Sequence, residues 1–272
     1  MGLCAANVRN AAVVATACLC VAAALAQVRE RKWARYEDEM QDPVGDPSDA
    51  DRPGEFAFAR LRYRSPLDRA FRGGYARWGI DCNKGDRLFI QCLRRLTRID
   101  MQSVETIIDI DSDEVFNWPW LFAVSAGDWN LSPPHAERLR KYLDRGGFLM
   151  VDDFHNEREW AIFMEGIRRI YPDAMAEELE DGDPIFSVIY TMRNRRRVPG
   201  ANVVHGSGIE RGGVEPHWRA VRDSRGRVMV AICFNMDVGD GWEFADDPEY
   251  PAELSAEAIH LGVNYVGYAM TH

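Results

Sequence analysis

The tightest constraint in the chain is the stretch from Ser132 to Asp153. Ser132 is a natural N-cap, Pro133 suits a first helical turn, Ala136, Leu139 and Leu143 form an apolar stripe, and Gly146 supplies a stop. Only Gly146 and Gly147 separate this helix from Phe148-Leu-Met-Val151, a continuous apolar run of the kind found in strands buried on both faces. A helix that returns so quickly into a buried strand predicts an α/β fold: a mainly parallel sheet flanked by helices.

Neighbouring segments repeat the alternation. Phe56 to Tyr63, Thr106 to Ile110 and Leu121 to Ser125 have strand character. Asp86 to Arg98 places Phe89, Cys92, Leu93 and Leu96 at helical spacing, and a second helix runs from about Glu157 to Ile170. The C-terminal half is less regular. Strands are expected at Pro184 to Tyr190 and Val228 to Phe234, a closing helix at Ser255 to Met270, and surface loops at Arg193 to Arg197 and Gly206 to Gly213.

At the N-terminus, Arg9 precedes an uncharged run from Ala11 to Ala26, with Ala24 and Ala26 where a signal peptidase reads small residues. This order predicts a signal peptide over residues 1–26, cleaved before Gln27, and hence a periplasmic or cell-envelope protein. Left uncleaved, residues 11–26 would associate with the inner membrane, although a spanning helix takes about 20 strongly apolar residues. Residues 27–54 are charged and broken by prolines, which suits a flexible acidic linker, so one domain is expected over 55–272.

The 272-residue chain carries 33 basic and 43 acidic residues, a formal charge of −10, and this argues against nucleic acid as a partner. Cys82, Cys92 and Cys233 remain once the signal is set aside. They offer neither a disulfide framework nor a C-x-x-C metal motif. No phosphate-binding glycine loop, G-x-S-x-G elbow or H-E-x-x-H helix occurs, so the sequence names no cofactor and no metal.

Open α/β sheets bind ligands beyond the C-terminal ends of their strands. There stand Asp152 and Asp153, the candidate catalytic pair, able to share acid and base work or to hold a cation. The competing structural reading is that one caps a helix while the other pairs with an arginine, because adjacent strand side chains point to opposite faces. Arg60, Arg62 and Arg64 share one period-2 face, suited either to a small anionic ligand or to salt bridges with Asp152, Asp153 or Asp81. In Asn235 to Glu243, the acids Asp237, Asp240 and Glu243 only superficially resemble a calcium loop, and a tight turn with a packed Trp242 is expected.

Several motifs resemble one bacterial family, the domain of unknown function 4159. They are Phe58-Ala-Arg-Leu-Arg-Tyr63, Trp78-Gly-Ile-Asp81, Leu93-Arg-Arg-Leu-Thr97, Leu139-Arg-Lys-Tyr-Leu143, Gly146 through Asp153, Asp183-Pro-Ile-Phe186, Asn235-Met-Asp237 with Trp242-Glu243, and Leu261-Gly-Val-Asn264 with Tyr268. Cys82 departs from the aromatic residue usual after Asp81. The resemblance implies a flavodoxin-like or class I glutamine-amidotransferase-like fold and an envelope location, and it brings no reaction. Arg60, Arg62, Tyr63, Trp78, Asp81, Asp237, Trp242 and Glu243 make up the candidate ligand-binding set. None of the exported cysteines has the context of an amidotransferase nucleophile. Two readings stay open: a non-catalytic module that binds an envelope partner or small anionic ligand, and a carboxylate- or metal-dependent hydrolase around Asp152 and Asp153.

Overall fold

In the computed structural model, residues 32–68, 74–207 and 210–272 are described, and residues 35–272 form one compact unit. The expected signal or anchor at 1–26 lies outside the described residues. Among those described, no helix is long and apolar enough to cross a membrane.

Among the described residues, seven strands form one sheet in the order β2-β1-β3-β4-β7-β6-β5. They are β1 (Ala59–Arg62), β2 (Thr106–Asp109), β3 (Trp120–Val124), β4 (Phe148–Phe154), β5 (Glu177–Glu178), β6 (His217–Arg222) and β7 (Val228–Phe234). Five are parallel; β6 and β5 extend the β7 edge antiparallel. Taken alone, the parallel strands follow the order 2-1-3-4-5 of flavodoxin-like folds, with the topological switch between β1 and β3.

The helices are α1 (Lys84–Leu96), α2 (Pro133–Asp144), α3 (Asn156–Ile170), α4 (Val238–Glu243) and α5 (Ala252–Thr271). Strands β3, β4 and β7 are buried along their whole length, as the apolar sequences of β3, of β7 and of Phe148 to Val151 in β4 require. One face carries Phe58, Trp120, Phe122, Phe148 and Met150 in a core with Phe89 of α1, Trp242 of α4 and Tyr265 of α5. Phe89 and Trp242 stack with ring centres 4.2 Å apart. On the other face Trp129 stacks on Phe163 of α3 at 5.2 Å, and Gly166 lets α3 approach the indole. The α2 unit forms as its residues dictate, with Ser132 accepting the His135 amide and Gly146 at φ +100°.

Three expectations change, and one strand went unread. Pro184 to Tyr190 is not a strand: Pro184 has no amide to give a ladder, Asp183 caps a short 3₁₀ turn at Pro184–Ser187, and the amides of Ile189 and Tyr190 donate to Asn264 of α5. Its apolar residues anchor a loop, with Phe186 buried under the Arg195 guanidinium at 3.6 Å. The turn expected after β7 contains helix α4, although Trp242 is packed as anticipated. Strand β6 was hidden because its alternation of Trp218, Ala220 with His217, Arg219 is short and lies on an outer strand. Finally, from Arg35 onward the presumed flexible linker is laid down on the domain. Met40 and Ala50 are buried, Asp46 pairs with Arg87 at 2.9 Å, and Asp42 forms a bridge with Asn83.

Candidate functional site

A cavity of about 450 Å³ opens beyond the strand ends near the switch point, where the topology directs attention. Its walls include Gln41, Tyr75, Arg77, Asp81, Asp153, Asn202, Glu210, Arg211, Asp237 and Asp240. Around it the backbone is bent into the left-handed region at non-glycine residues: Ser125 after β3 (φ 52°), Asp153 in β4 (φ 51°), Asn235 after β7 (φ 59°) and Asp81 (φ 58°). Each such residue costs about 1–3 kcal/mol and persists only where surrounding contacts over-determine it. Concentrated on three neighbouring strand ends, this strain marks the place where the fold aims side chains.

In β4 the register slips between Val151 and Phe154, and the bulge sends the two aspartates to different surroundings. Asp152 points down: its Oδ2 accepts the Gly239 amide at 2.8 Å, in the first turn of α4, and its Oδ1 is buried without a partner. Burial, then the charge of Asp153, push its carboxyl well above the usual range, with the Gly239 bond opposing. Asp153 faces the cavity. Burial alone would raise it, but the Arg211 guanidinium, His155 and Ser125 outweigh burial and hold it at about 2. Ser125 Oγ donates to Asp153 Oδ2 at 2.9 Å, and His155 Nε2 lies 3.2 Å from Oδ1.

The opposite wall is dominated by carboxylates. Asp81 and Asp237 are raised well above their ordinary values, first by burial and then by Asp240 and other carboxylates. Burial also lifts Asp240 to about 6, and with the repulsion of Asp240 it lifts Glu243 to about 7. Among the described residues none of these four forms a salt bridge. The two lining guanidiniums are engaged elsewhere, Arg77 with Asp128 at 3.0 Å and Arg211 with Asp153.

Of the residues singled out from sequence, the cavity brings together Asp81, Asp153 and Asp237, with Glu243 beside Asp81 and Asp240. Asp152 lies beneath, as a cap on α4. The arginine face is real but its partners differ from those expected: no salt bridge joins it to Asp152, Asp153 or Asp81 among the described residues. Arg60 forms a fully buried fork with Asp86 (2.8 and 2.5 Å) and donates to the carbonyls of Trp78 and Ile80, because α1 places Asp86 directly over β1. Arg62 pairs with Glu39 and Asp109. The Tyr63 hydroxyl donates to the Val124 carbonyl at 2.6 Å and steadies the β3 elbow. Trp78 donates to Glu39, and Trp242 to the Ala258 carbonyl from the core.

Sequence reasoning missed Ser125, Glu210 and Arg211. Ser125 ends an apolar strand and precedes Gly127, a strand-to-turn signal visible in retrospect. Glu210 and Arg211 are the charged pair inside the glycine-rich stretch expected to be a surface excursion; residues 208 and 209 lie outside the described set. Cys82, Cys92 and Cys233 are free thiols in a loop, in α1 and in β7, and none lines the cavity.

Compared with known proteins, the family described as Domain of unknown function (DUF4159) matches residues 57–270. No curated protein matches the chain significantly.

Proposed function

The chain belongs to the family of the domain of unknown function DUF4159, and from that premise we propose that it is an exported envelope protein whose domain binds a positively charged ligand in the acidic cavity at the strand ends. One observation carries this reading: Asp81, Asp237 and Asp240 face a single cavity, and no cation of the described protein pairs with them. The arginines that could have received an anion are held by Asp86, Glu39 and Asp109, which favours a cation over the anionic ligand expected from sequence. Grouped carboxylates in a partly dehydrated cavity repel one another, and a bound cation relieves that repulsion. Putrescine, arginine methyl ester and divalent metal ions serve as probes in thermal-shift titrations. A saturable rise in Tm with at least one, weakened in Asp237→Asn, is the expected result; no response to any probe defeats the reading.

A second reading, hydrolysis by a carboxylate acid and base, draws support from the separation of Asp153, at about 2, from Asp240 and Glu243, at about 6 and 7. Divergent carboxyl pKa values in one cavity are what acid–base pairs require. Turnover of p-nitrophenyl acetate or phosphate with a bell-shaped pH profile, lost in Asp153→Asn, is the outcome that would favour it.

Export is supported by Arg9, the uncharged run 11–26 and the small residues Ala24 and Ala26. N-terminal sequencing of the protein recovered from the cell envelope distinguishes cleavage before Gln27 from a retained anchor. An envelope protein partner fits the same location.

A further inference from the structure

We propose that Asp81, Asp240 and Glu243 form a binding site for one hard divalent cation, a deepening that rests on the cationic-ligand reading above. Each side chain offers a carboxylate oxygen, and these atoms lie within 4.8 Å of one another. Calcium binds oxygen at about 2.3–2.6 Å, so ligands on opposite sides of one ion stand about 4.6–5.2 Å apart. The three oxygens are thus close enough to share an ion.

An independent observation concerns the atoms with no protein partner. Asp81 is 1% exposed and its Oδ2 has no hydrogen bond; Glu243 is 3% exposed and its Oε2 has none. A buried carboxylate oxygen left unpaired is expensive, and coordination to a metal is one of the few ways to satisfy it. Local design points the same way. The Asp81 backbone is held at φ 58°, and Gly239 makes room for its carboxylate, since a Cβ there would stand 2.2 Å from Oδ2. Lys84, the neighbouring lysine, forms its ion pair elsewhere: its Nζ lies 3.9 Å from Asp246 and 4.9 Å from the centre of the Phe244 ring, and it acts on Glu243 only through the longer-range attraction of its charge.

The other cluster with suitable atoms, Asp153, His155 and Glu210, is already served internally. Arg211 and Ser125 hold Asp153, and His155 Nε2 sits against it. A donor set of carboxylates alone selects calcium, magnesium or manganese over zinc or copper.

The test is isothermal titration of the purified, EDTA-treated protein with CaCl2, MgCl2 and MnCl2. One-site binding of at least one ion is expected. Loss of an outer-shell partner already weakens metal sites about 10–100-fold, and Asp81→Asn and Asp240→Asn, which remove ligands themselves, should weaken it at least that much. Gly239→Ala, which displaces the Asp81 carboxylate without changing any ligand, should weaken it too. Far-UV circular dichroism and melting of each variant in EDTA establish that it is folded. Binding that survives both asparagine variants, or that is lost only in His155→Gln, overturns the assignment. A response to putrescine with no metal binding overturns it while leaving the broader reading intact, and silence toward every probe removes both.

Discussion

Asp152 and Asp153 are adjacent in the chain yet answer to different partners: one accepts the Gly239 amide at 2.8 Å below the sheet's edge, the other meets Arg211 inside the cavity. The two carboxyls are driven in opposite directions, Asp152 upward by burial and Asp153 down to about 2 because Arg211, His155 and Ser125 together outweigh burial. Neighbouring positions on a strand thereby acquire separate duties, support for one and display for the other.

Truncation separates these duties. Asp152→Ala leaves the Gly239 amide buried and unpaired, a loss of about 1–3 kcal/mol. Asp152→Asn keeps an acceptor and removes a carboxyl whose ionised form burial disfavours, so it should be neutral or stabilising at pH 7. Urea denaturation of the two variants tests the ordering; an Asn variant as damaged as the Ala variant contradicts it.

The Arg60–Asp86 fork is a buried ion pair with 1% and 0% of its side chains exposed. Arg60→Met leaves Asp86 without its countercharge and releases the Trp78 and Ile80 carbonyls, at an expected cost of about 3–5 kcal/mol. Pairing it with Asp86→Leu should recover much of that loss, because no charge is then stranded. A double-mutant cycle in guanidinium reads the recovery directly.

Stability of the metal-free protein should peak at unusually low pH. Asp240 rises from 3.8 to about 6 and Glu243 from 4.5 to about 7 on folding. Their folded forms keep protons that the unfolded chain releases, so stability present below the ordinary carboxylate range is lost as pH rises toward 7. Asp153 works in the opposite sense: lowered from 3.8 to about 2, it contributes stability above 3.8 that disappears as pH falls toward 2. Melting temperatures in EDTA should therefore be highest near the ordinary carboxylate value and decline by neutrality. Asp240→Asn should flatten the decline; an optimum at pH 7 to 8 would contradict the assignment.

Gly166 tests packing against propensity. Alanine in a helix interior gains about 1 kcal/mol over glycine, but a Cβ here would stand 2.3 Å from Trp129 Nε1. Overpacking typically costs about 1–3 kcal/mol, so Gly166→Ala should be net destabilising, with a lowered Tm.

How much of this was legible in the sequence follows from the range of each interaction. The α2–β4 unit could be read because Ser132, Pro133, Gly146 and the apolar run act locally. The shared face of Arg60 and Arg62 was equally clear from strand period. Their partners were not, since Asp86 lies 26 residues from Arg60 and reaches it only after α1 has docked. Asp153 and Asp237 stood out as acids at strand ends and Asp81 in the Trp78-Gly-Ile-Asp81 motif, whereas Glu210 and Arg211 come from a stretch whose glycines signal only a loop. The carboxylates could be named from sequence; which of them would be neutralised could not, because that is decided by side chains arriving from distant segments.

The packed segment before β1 carries a further implication. The Gln41 amide donates to the Gly79 carbonyl at 2.8 Å and the Asp42 amide to the Cys82 carbonyl at 3.1 Å, while the Gln41 side chain accepts the Asp81 amide at 3.2 Å. Gly79 passes so close that a Cβ would stand 2.1 Å from the Glu39 carbonyl oxygen. The family match begins only at residue 57, so a fragment cut to that boundary keeps every described strand yet loses Gln41 from the lining of the cavity and the splint that sets Asp81. The segment before residue 57 is therefore part of how Asp81 is held, although the family match does not extend over it.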